Sequence, residues 1–179
     1  MKNYVLTPGP VPVPEFVLLE MAKPIIHHRT EEFEEIFFKA SQGLKKVFMT
    51  EEEVLILASS GTGAMDAAVC NTLSKKDKAL VINGGKFGER WLKICKAYDV
   101  ETEEIKVEWG KAVNPEEIEK VLKKHKDIKA ILIQASETST GVKHPIQEIA
   151  LLTKDRKDII LIVDGITAVG AFPVEFDKW

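Results

Sequence analysis

The sequence predicts an α/β protein built around a mainly parallel sheet with helices on both faces. Short apolar runs alternate with helical patterns between residues 54 and 163. The runs are continuous, which is typical of strands covered on both faces. Polar and glycine-rich residues follow several of these runs directly, where the carboxyl edge of a parallel sheet would bind a ligand.

The N-terminal part of the chain is predicted to be an extended arm over residues 1–20. Four of the eight prolines fall in residues 7–14, and proline is excluded from helix interiors and central strands. Thr30 is then predicted to cap an amphipathic helix, because apolar residues recur at helical spacing from Phe33 to Phe48. We expect this apolar face to pack against a larger surface.

Strands and helices alternate in the rest of the chain. The helix that begins after Asn114 is best supported, since Pro115 suits the first helical position and Glu117 completes a variant capping box. The predicted strands are 54–58, 79–82, 100–107, 130–133 and 159–163, and the predicted helices between them are 64–73, 87–98, 115–124 and 145–154.

Composition argues against several classes of partner. The net charge is only −3 and lysines are interleaved with glutamates, so neither nucleic acid nor a membrane surface is indicated. The basic stretch over residues 120–129 suits a solvated helix end. Cys70 and Cys95 lack metal-ligand spacing and are predicted to be buried, reduced thiols. With no signal-peptide pattern, these features predict a cytoplasmic protein without a metal site.

A phosphate site is one interpretation of the turn that follows the first predicted strand. Ser60, Gly61 and Thr62 lie at a predicted helix start, where backbone N–H groups and hydroxyls can hold a phosphate. The turn could instead serve only to reverse the chain tightly. It does not match a dinucleotide fingerprint, because Asp66 stands where the third glycine belongs, and it lacks the Gly-Lys-Ser/Thr of a P-loop.

Asp164 is the second candidate, because it ends an apolar strand and places one carboxylate at the sheet edge. Such a group suits a protonated ring nitrogen, although it could simply cap the following turn. Phe87 follows another strand and could stack on a flat ring or pack in the core. Residues 134–141 add a dense polar cluster. Pyridoxal phosphate has both a phosphate and a ring nitrogen.

Four motifs in the same order resemble the class V aminotransferases. They are Ser-Gly-Thr-Gly-Ala-Met at 60–65, Asn-Gly-Gly-Lys-Phe-Gly-Glu-Arg-Trp at 83–91, Glu-Thr-Ser-Thr-Gly-Val at 137–142 and Val-Asp-Gly-Ile-Thr-Ala-Val-Gly at 163–170. The sequence is especially similar to the alanine–glyoxylate and serine–pyruvate aminotransferase branch, some members of which carry the label soluble hydrogenase subunit.

The resemblance implies a homodimeric fold-type I enzyme that uses pyridoxal 5′-phosphate. Asp164 is the implied catalytic residue, since it would keep the ring nitrogen protonated and the ring an electron sink. By motif position, the resemblance implies phosphate binding by Ser60, Gly61 and Thr62, ring contacts from Phe87 and Ile166 on opposite faces, Thr138 near the ring hydroxyl, and Gly9 and His28 near the substrate.

The implied reaction moves an amino group from a small amino acid such as alanine, serine or aspartate to a 2-oxo acid such as glyoxylate or pyruvate. The family's Schiff-base lysine is expected on the strand after Asp164, and no lysine up to Trp179 has that position. We therefore expect residues 21–179 to be part of the large domain, and the 179-residue chain alone to be inactive. A non-catalytic fragment that holds a ligand or supports an assembly, and a Rossmann-like nucleotide-binding domain, stay open as alternatives.

Overall fold

The computed structural model describes residues 5–179, so residues 1–4 of the predicted arm lie outside the described residues. The described residues fall into two compact units that divide between Leu55 and Ile56. None of the helices formed by residues 5–179 has the length and apolar character needed to span a bilayer.

The first unit contains the helices α1 (Glu15–Met21) and α2 (Glu31–Phe48). Residues 5–14 have no regular helix or strand, so the extended part of the predicted arm is shorter than 1–20. The reason is that the last proline of the arm is Pro14, after which nothing in the sequence prevents a helix.

Helix α2 confirms the predicted N-cap but not the predicted packing. The Phe33 N–H donates to the Thr30 hydroxyl over 3.4 Å, and Met49 ends the helix in the left-handed conformation. No residue of α2 is buried, and Ile36 and Phe37 keep about half of their surface exposed. The apolar face of α2 is thus uncovered within the part of the chain that the structure describes.

The second unit confirms the predicted parallel sheet. Its helices are α3 (Gly61–Thr72), α4 (Lys86–Ala97), α5 (Pro115–Lys124) and α6 (Ile146–Thr153), and its strands are β1 (Lys78–Asn83), β2 (Glu101–Lys106), β3 (Ile128–Gln134), β4 (Ser136–Glu137), β5 (Val142–Lys143) and β6 (Ile160–Asp164). Strands β2, β1, β3 and β6 form one parallel sheet in that order, and β4 and β5 form a small antiparallel pair.

Side chains that alternate along β1 and β3 enter two separate cores. On one face, Val81 and Leu132 lie in the core that includes residues of α3 and α4, where Trp91 is 1% exposed. On the other face, Ile82 and Ile133 lie in the core that includes residues of α5 and α6. The central strands are therefore covered on both sides, as their continuous apolar sequences predict.

Two sequence-based predictions are wrong, one for the segment that crosses the boundary between the two units and one for a cysteine of the second unit. Residues 54–58 do not form a strand, because no described strand pairs with them and an unpaired backbone gains nothing from the extended ladder. Leu55 is accordingly 76% exposed. Cys95 is buried, which raises the pKa of its thiol to about 11, but Cys70 is exposed. Met65 and Val69, one helical turn apart, form the buried face of α3, and Cys70 lies off that face.

The cap of α5 gives a first testable prediction. The Glu116 N–H donates to the Asn114 side chain over 3.0 Å. Asn114→Ala removes this acceptor and should lower the free energy of unfolding by about 1 kcal/mol, which corresponds to a melting temperature about 2–4 °C lower in a chain of this size. Asn114→Asp keeps the acceptor and serves as the control. An alanine variant with the same melting temperature as the wild type would show that this cap does not contribute to stability.

Candidate functional site

Three polar side chains lie side by side at the carboxyl edge of the parallel sheet. Asn83, Gln134 and Asp164 end β1, β3 and β6. Gln134 is in register with Asp164, and all three follow by two positions residues of the core on the α3 and α4 face. Because side chains alternate along a strand, the three polar groups share that face.

Asp164 is a partly buried carboxylate with one oxygen already engaged. The Ile166 N–H donates to its Oδ1 over 3.0 Å. Burial raises the pKa of Asp164, while the Ile166 N–H and the nearby Arg90 guanidinium act in the opposite direction. A carboxylate whose charge is only partly compensated favours the approach of a cation.

The N-terminus of α3 lies against the loop that follows Asp164. A Cβ atom on Gly61 would lie 2.5 Å from Ile166 Cδ1, so the first residue of α3 and Ile166 are in close proximity. Ser60 is the N-cap residue, and its side chain makes no cap hydrogen bond. The N–H groups of Gly61, Thr62 and Gly63 donate to no side chain of residues 5–179. The free N–H groups of its first turn, which includes Thr62, can therefore receive an anion.

Phe87 is the second residue of α4 and is half-buried. Its backbone N–H donates to the Glu137 carboxylate over 3.2 Å, and the next N–H, that of Gly88, donates to the same oxygen over 3.0 Å. The Arg90 guanidinium lies over the Phe87 ring at 4.8 Å from its centroid. Thr138 follows Glu137 directly and is half-buried. Hydrogen bonds thus connect the segment after β1, at the start of α4, to the segment after β3, which contains β4, at this edge of the sheet.

Sequence reasoning missed three residues of this edge. Glu137 and Gln134 were part of the polar cluster at 134–141, but nothing in a linear pattern shows that both are fully buried. Gln134 has no hydrogen-bond partner for either amide atom among the described residues. Arg90 follows Phe87 by three positions on the same helix, and that spacing is the signal that could have revealed it.

The arrangement is compatible with pyridoxal phosphate. The uncapped start of α3 offers donors to a phosphate, and Asp164 offers a carboxylate to a ring nitrogen. The fully buried amide of Gln134, in register with Asp164, has no hydrogen-bond partner among residues 5–179, and an unsatisfied buried polar group of this kind is typical of a functional site.

The sequence profile described as "Aminotransferase class-V" matches residues 16–179. The chain belongs to the class V aminotransferase family. Class V aminotransferases are enzymes that depend on pyridoxal phosphate, so the cofactor suggested by the sheet edge is the cofactor of the family.

Similar proteins support the family at the level of both sequence and fold. The chain is 44% identical to a protein named "Soluble hydrogenase, small subunit" from a Synechococcus species, covering 99% of this chain and 47% of that protein. It is 32% identical to the L-aspartate–glyoxylate aminotransferase of Paracoccus denitrificans, over 99% of this chain and 46% of the relative. The chain spans about half the length of these relatives.

A solved structure of an aminotransferase has the same fold. The aspartate aminotransferase of subgroup IV from Thermus thermophilus superposes with a TM-score of 0.90 at 33% identity, covering 98% of this chain and 49% of that one. The predicted relationship to fold-type I enzymes is therefore confirmed.

The two predicted substrate residues, Gly9 and His28, lie in the first unit. Gly9 belongs to the exposed arm, and His28 lies just before α2 with its ring stacked on that of His27 at 4.7 Å. Their role near a substrate stays a prediction.

Proposed function

We propose that this protein is an aminotransferase that moves an amino group between a small amino acid, such as alanine, serine or aspartate, and a 2-oxo acid, such as glyoxylate or pyruvate. The observation that carries the proposal is that Ile166 connects Asp164 to the uncapped start of α3. Its N–H donates to Asp164, and its side chain lies against Gly61, the first residue of α3. One group suits a cation and the other an anion, and the family's cofactor contains both.

The phosphate is proposed to bind at Ser60, Gly61 and Thr62. Helices α3 and α4 both begin at this edge, and they differ in what their N-termini already hold. The first turn of α4 is occupied by the Glu137 carboxylate, whereas that of α3 has no capping side chain among the described residues. An incoming anion is therefore favoured at α3 rather than α4.

The ring is proposed to lie with its nitrogen at Asp164, between Phe87 and Ile166, with Thr138 near the ring hydroxyl. When bound, the cofactor supplies an electron sink for reactions at the amino-acid carbon. Asp164 would hold a proton on the ring nitrogen, because the charge of a partly buried carboxylate is stabilised by an adjacent cation. Phe87 and Ile166 would exclude water from the two ring faces and fix its plane.

Several properties of the whole protein belong to the same proposal. Gly9 and His28 are proposed to contribute to the substrate pocket, residues 21–179 to form part of the large domain, and the protein to act as a cytoplasmic homodimer. The exposed apolar residues of α2 are compatible with such an association. The expectation that the 179-residue chain alone is inactive also stays a prediction.

Removal of one hydroxyl tests the phosphate site. Thr62→Val keeps the shape of the side chain and should weaken pyridoxal phosphate binding about tenfold, the usual size for one hydrogen bond to a charged group. Titration followed by the absorption of the bound cofactor measures the dissociation constant. Pyridoxal, which lacks the phosphate, is the matched control ligand and should bind both proteins equally.

Two outcomes would contradict the proposed function. One is wild-type protein that does not bind pyridoxal phosphate but binds NAD or ATP tightly, which favours a nucleotide-binding domain. The other is a chain that includes the family's Schiff-base lysine and binds the cofactor, yet transfers no amino group from alanine, serine or aspartate to glyoxylate or pyruvate, which favours a ligand-holding subunit. We expect such a lysine-containing chain to form the new amino acid, and the 179-residue chain alone to form none.

A further inference from the structure

The start of α4 is capped by side chains that lie about fifty residues away in sequence. Ser139 Oγ accepts the Lys86 N–H over 3.0 Å, and the Glu137 carboxylate accepts the N–H groups of Phe87 and Gly88. These three residues open the helix. Ordinarily the side chain of the N-cap residue satisfies one such donor, but the N-cap here is Gly85, which has none. We call the pair Glu137 and Ser139 the cap pair.

Glu137 is suited to this place because its charge is fully compensated by donors. The residue is fully buried, and a buried carboxylate is stable only when it is paired or hydrogen-bonded. Besides the two helix N–H groups, its Oε1 accepts from the Ser139 N–H over 3.3 Å and from the Ser139 hydroxyl over 2.6 Å. The positive end of the α4 dipole favours the same negative charge.

Gly85 provides the room for this arrangement. A Cβ atom at this position would collide with Ser139 Oγ and would lie 2.7 Å from Glu137 Cδ. The glycine is needed for space rather than for its backbone angles, which are those of extended chain. Gly85 therefore provides no cap of its own, and the absence of its side chain leaves space for the cap pair, which follows the neighbouring strand β3.

We propose that Glu137 is a positioning residue for the cofactor ring. It fixes the backbone of Phe87, proposed to cover one ring face, and it directly precedes Thr138, proposed to lie near the ring hydroxyl. One buried carboxylate thus sets the spacing between two groups on different strand ends. This inference rests on the proposed function, because the ring contacts of Phe87 and Thr138 are part of it.

Hydrogen exchange tests the cap pair without any cofactor. Glu137→Gln keeps the size of the side chain but turns one acceptor into a donor that faces other donors. We expect the Phe87 and Gly88 amides to exchange at least about tenfold faster in this variant, since each charge-assisted bond slows opening by about that factor. Glu89→Gln, in the same helical turn and ion-paired with Lys86, is the control and should leave both amides protected.

A double-mutant cycle separates positioning from general loss of structure. Glu137→Gln should raise the dissociation constant of pyridoxal phosphate about tenfold, since loss of a charge-assisted bond has that size. In a Phe87→Ala background, the same change should raise it less than about twofold, because the ring-contacting side chain whose backbone N–H is hydrogen-bonded to Glu137 is gone. The induced circular dichroism of the bound cofactor should also change in Glu137→Gln but not in Glu89→Gln.

The outcomes distinguish this inference from the proposed function. If the wild type does not bind pyridoxal phosphate, both fail. If the wild type binds it, and Glu137→Gln binds equally well or loses the same factor with and without Phe87, only the positioning role is overturned. Should Glu137→Gln not fold, Ser139→Ala removes one member of the cap pair and is expected to weaken binding about threefold, again only when Phe87 is present.

Discussion

Replacing Asp164 by asparagine is expected to weaken pyridoxal phosphate binding about 100-fold, which corresponds to the loss of a charge-assisted hydrogen bond to the ring nitrogen. Asparagine still accepts the Ile166 N–H, because that bond uses a single oxygen. The loop geometry is therefore retained while the charge is removed. Titration followed by cofactor absorption measures the change, and the spectrum of residual bound cofactor should shift as the ring nitrogen loses its proton.

The same variant should make the cofactor-free protein slightly more stable at neutral pH. Burial raises the pKa of Asp164 in the folded chain above its unfolded value, so the folded state binds the proton more tightly. The stability linked to that proton is present at acidic pH and is lost as pH rises through the raised pKa. We expect a melting temperature about 1–2 °C higher than wild type at pH 7, roughly 0.5 kcal/mol, and no gain near pH 4.

A second aspartate provides the matched control. Asp158 is ion-paired with Arg156 over 2.6 Å, and this partner lowers the pKa of Asp158. The pKa shift of Asp158 is therefore opposite in sign to that of Asp164. We expect Asp158→Asn not to stabilise the protein at pH 7 and to leave cofactor binding unchanged. If Asp164→Asn binds the cofactor like the wild type, the assignment of Asp164 to the ring nitrogen is wrong. If the variant is less stable than the wild type at pH 7 without cofactor, burial does not raise the pKa of Asp164.

Gly88→Ala is expected to be the most destabilising small substitution in the second unit. A Cβ atom on Gly88 would lie 2.7 Å from Asn83 Cα and 2.8 Å from the Ile82 carbonyl oxygen. Both are backbone atoms of the central strand β1, so α4 has to move off the sheet. Overpacking of this kind costs about 2–3 kcal/mol, which lowers the melting temperature of a chain this size by about 5–10 °C.

Gly43 in α2 is the corresponding control. Apart from the adjacent residues and the backbone of α2 itself, no atom of residues 5–179 lies within 4 Å of a Cβ placed there, so only helix propensity changes. Gly43→Ala should therefore stabilise α2 by about 0.5–1 kcal/mol. Thermal unfolding followed by circular dichroism compares the two variants. A Gly88→Ala protein as stable as the wild type would show that α4 does not pack on β1 as closely as described.

Much of the second unit could be predicted because its signals are local. Strands β1 and β3 are continuous apolar runs, and the start of α5 has a cap and a proline at fixed spacing. Asp164 could be selected because a carboxylate at the end of an apolar strand needs a reason to be there. The segment 54–58 has the same apolar character as β1, but a strand also needs a neighbour, and a sequence run does not contain that information.

The cap pair could not be predicted for a related reason. Glu137 contacts the start of α4 across about fifty residues, and only the parallel register of β1 and β3 brings them together. Gly85 looks like a turn glycine in the sequence, whereas its function is to leave space for another segment. Cys70 was misplaced because its exposure depends on which face of α3 meets the sheet.

The most direct test is a crystal structure of the protein with pyridoxal phosphate bound. We predict the phosphate at the first turn of α3, in contact with Ser60, Gly61 and Thr62, and the ring nitrogen within hydrogen-bond distance of an Asp164 carboxylate oxygen. The ring should lie between Phe87 and Ile166. A phosphate bound elsewhere, or a ring nitrogen with no contact to Asp164, would contradict the proposed site.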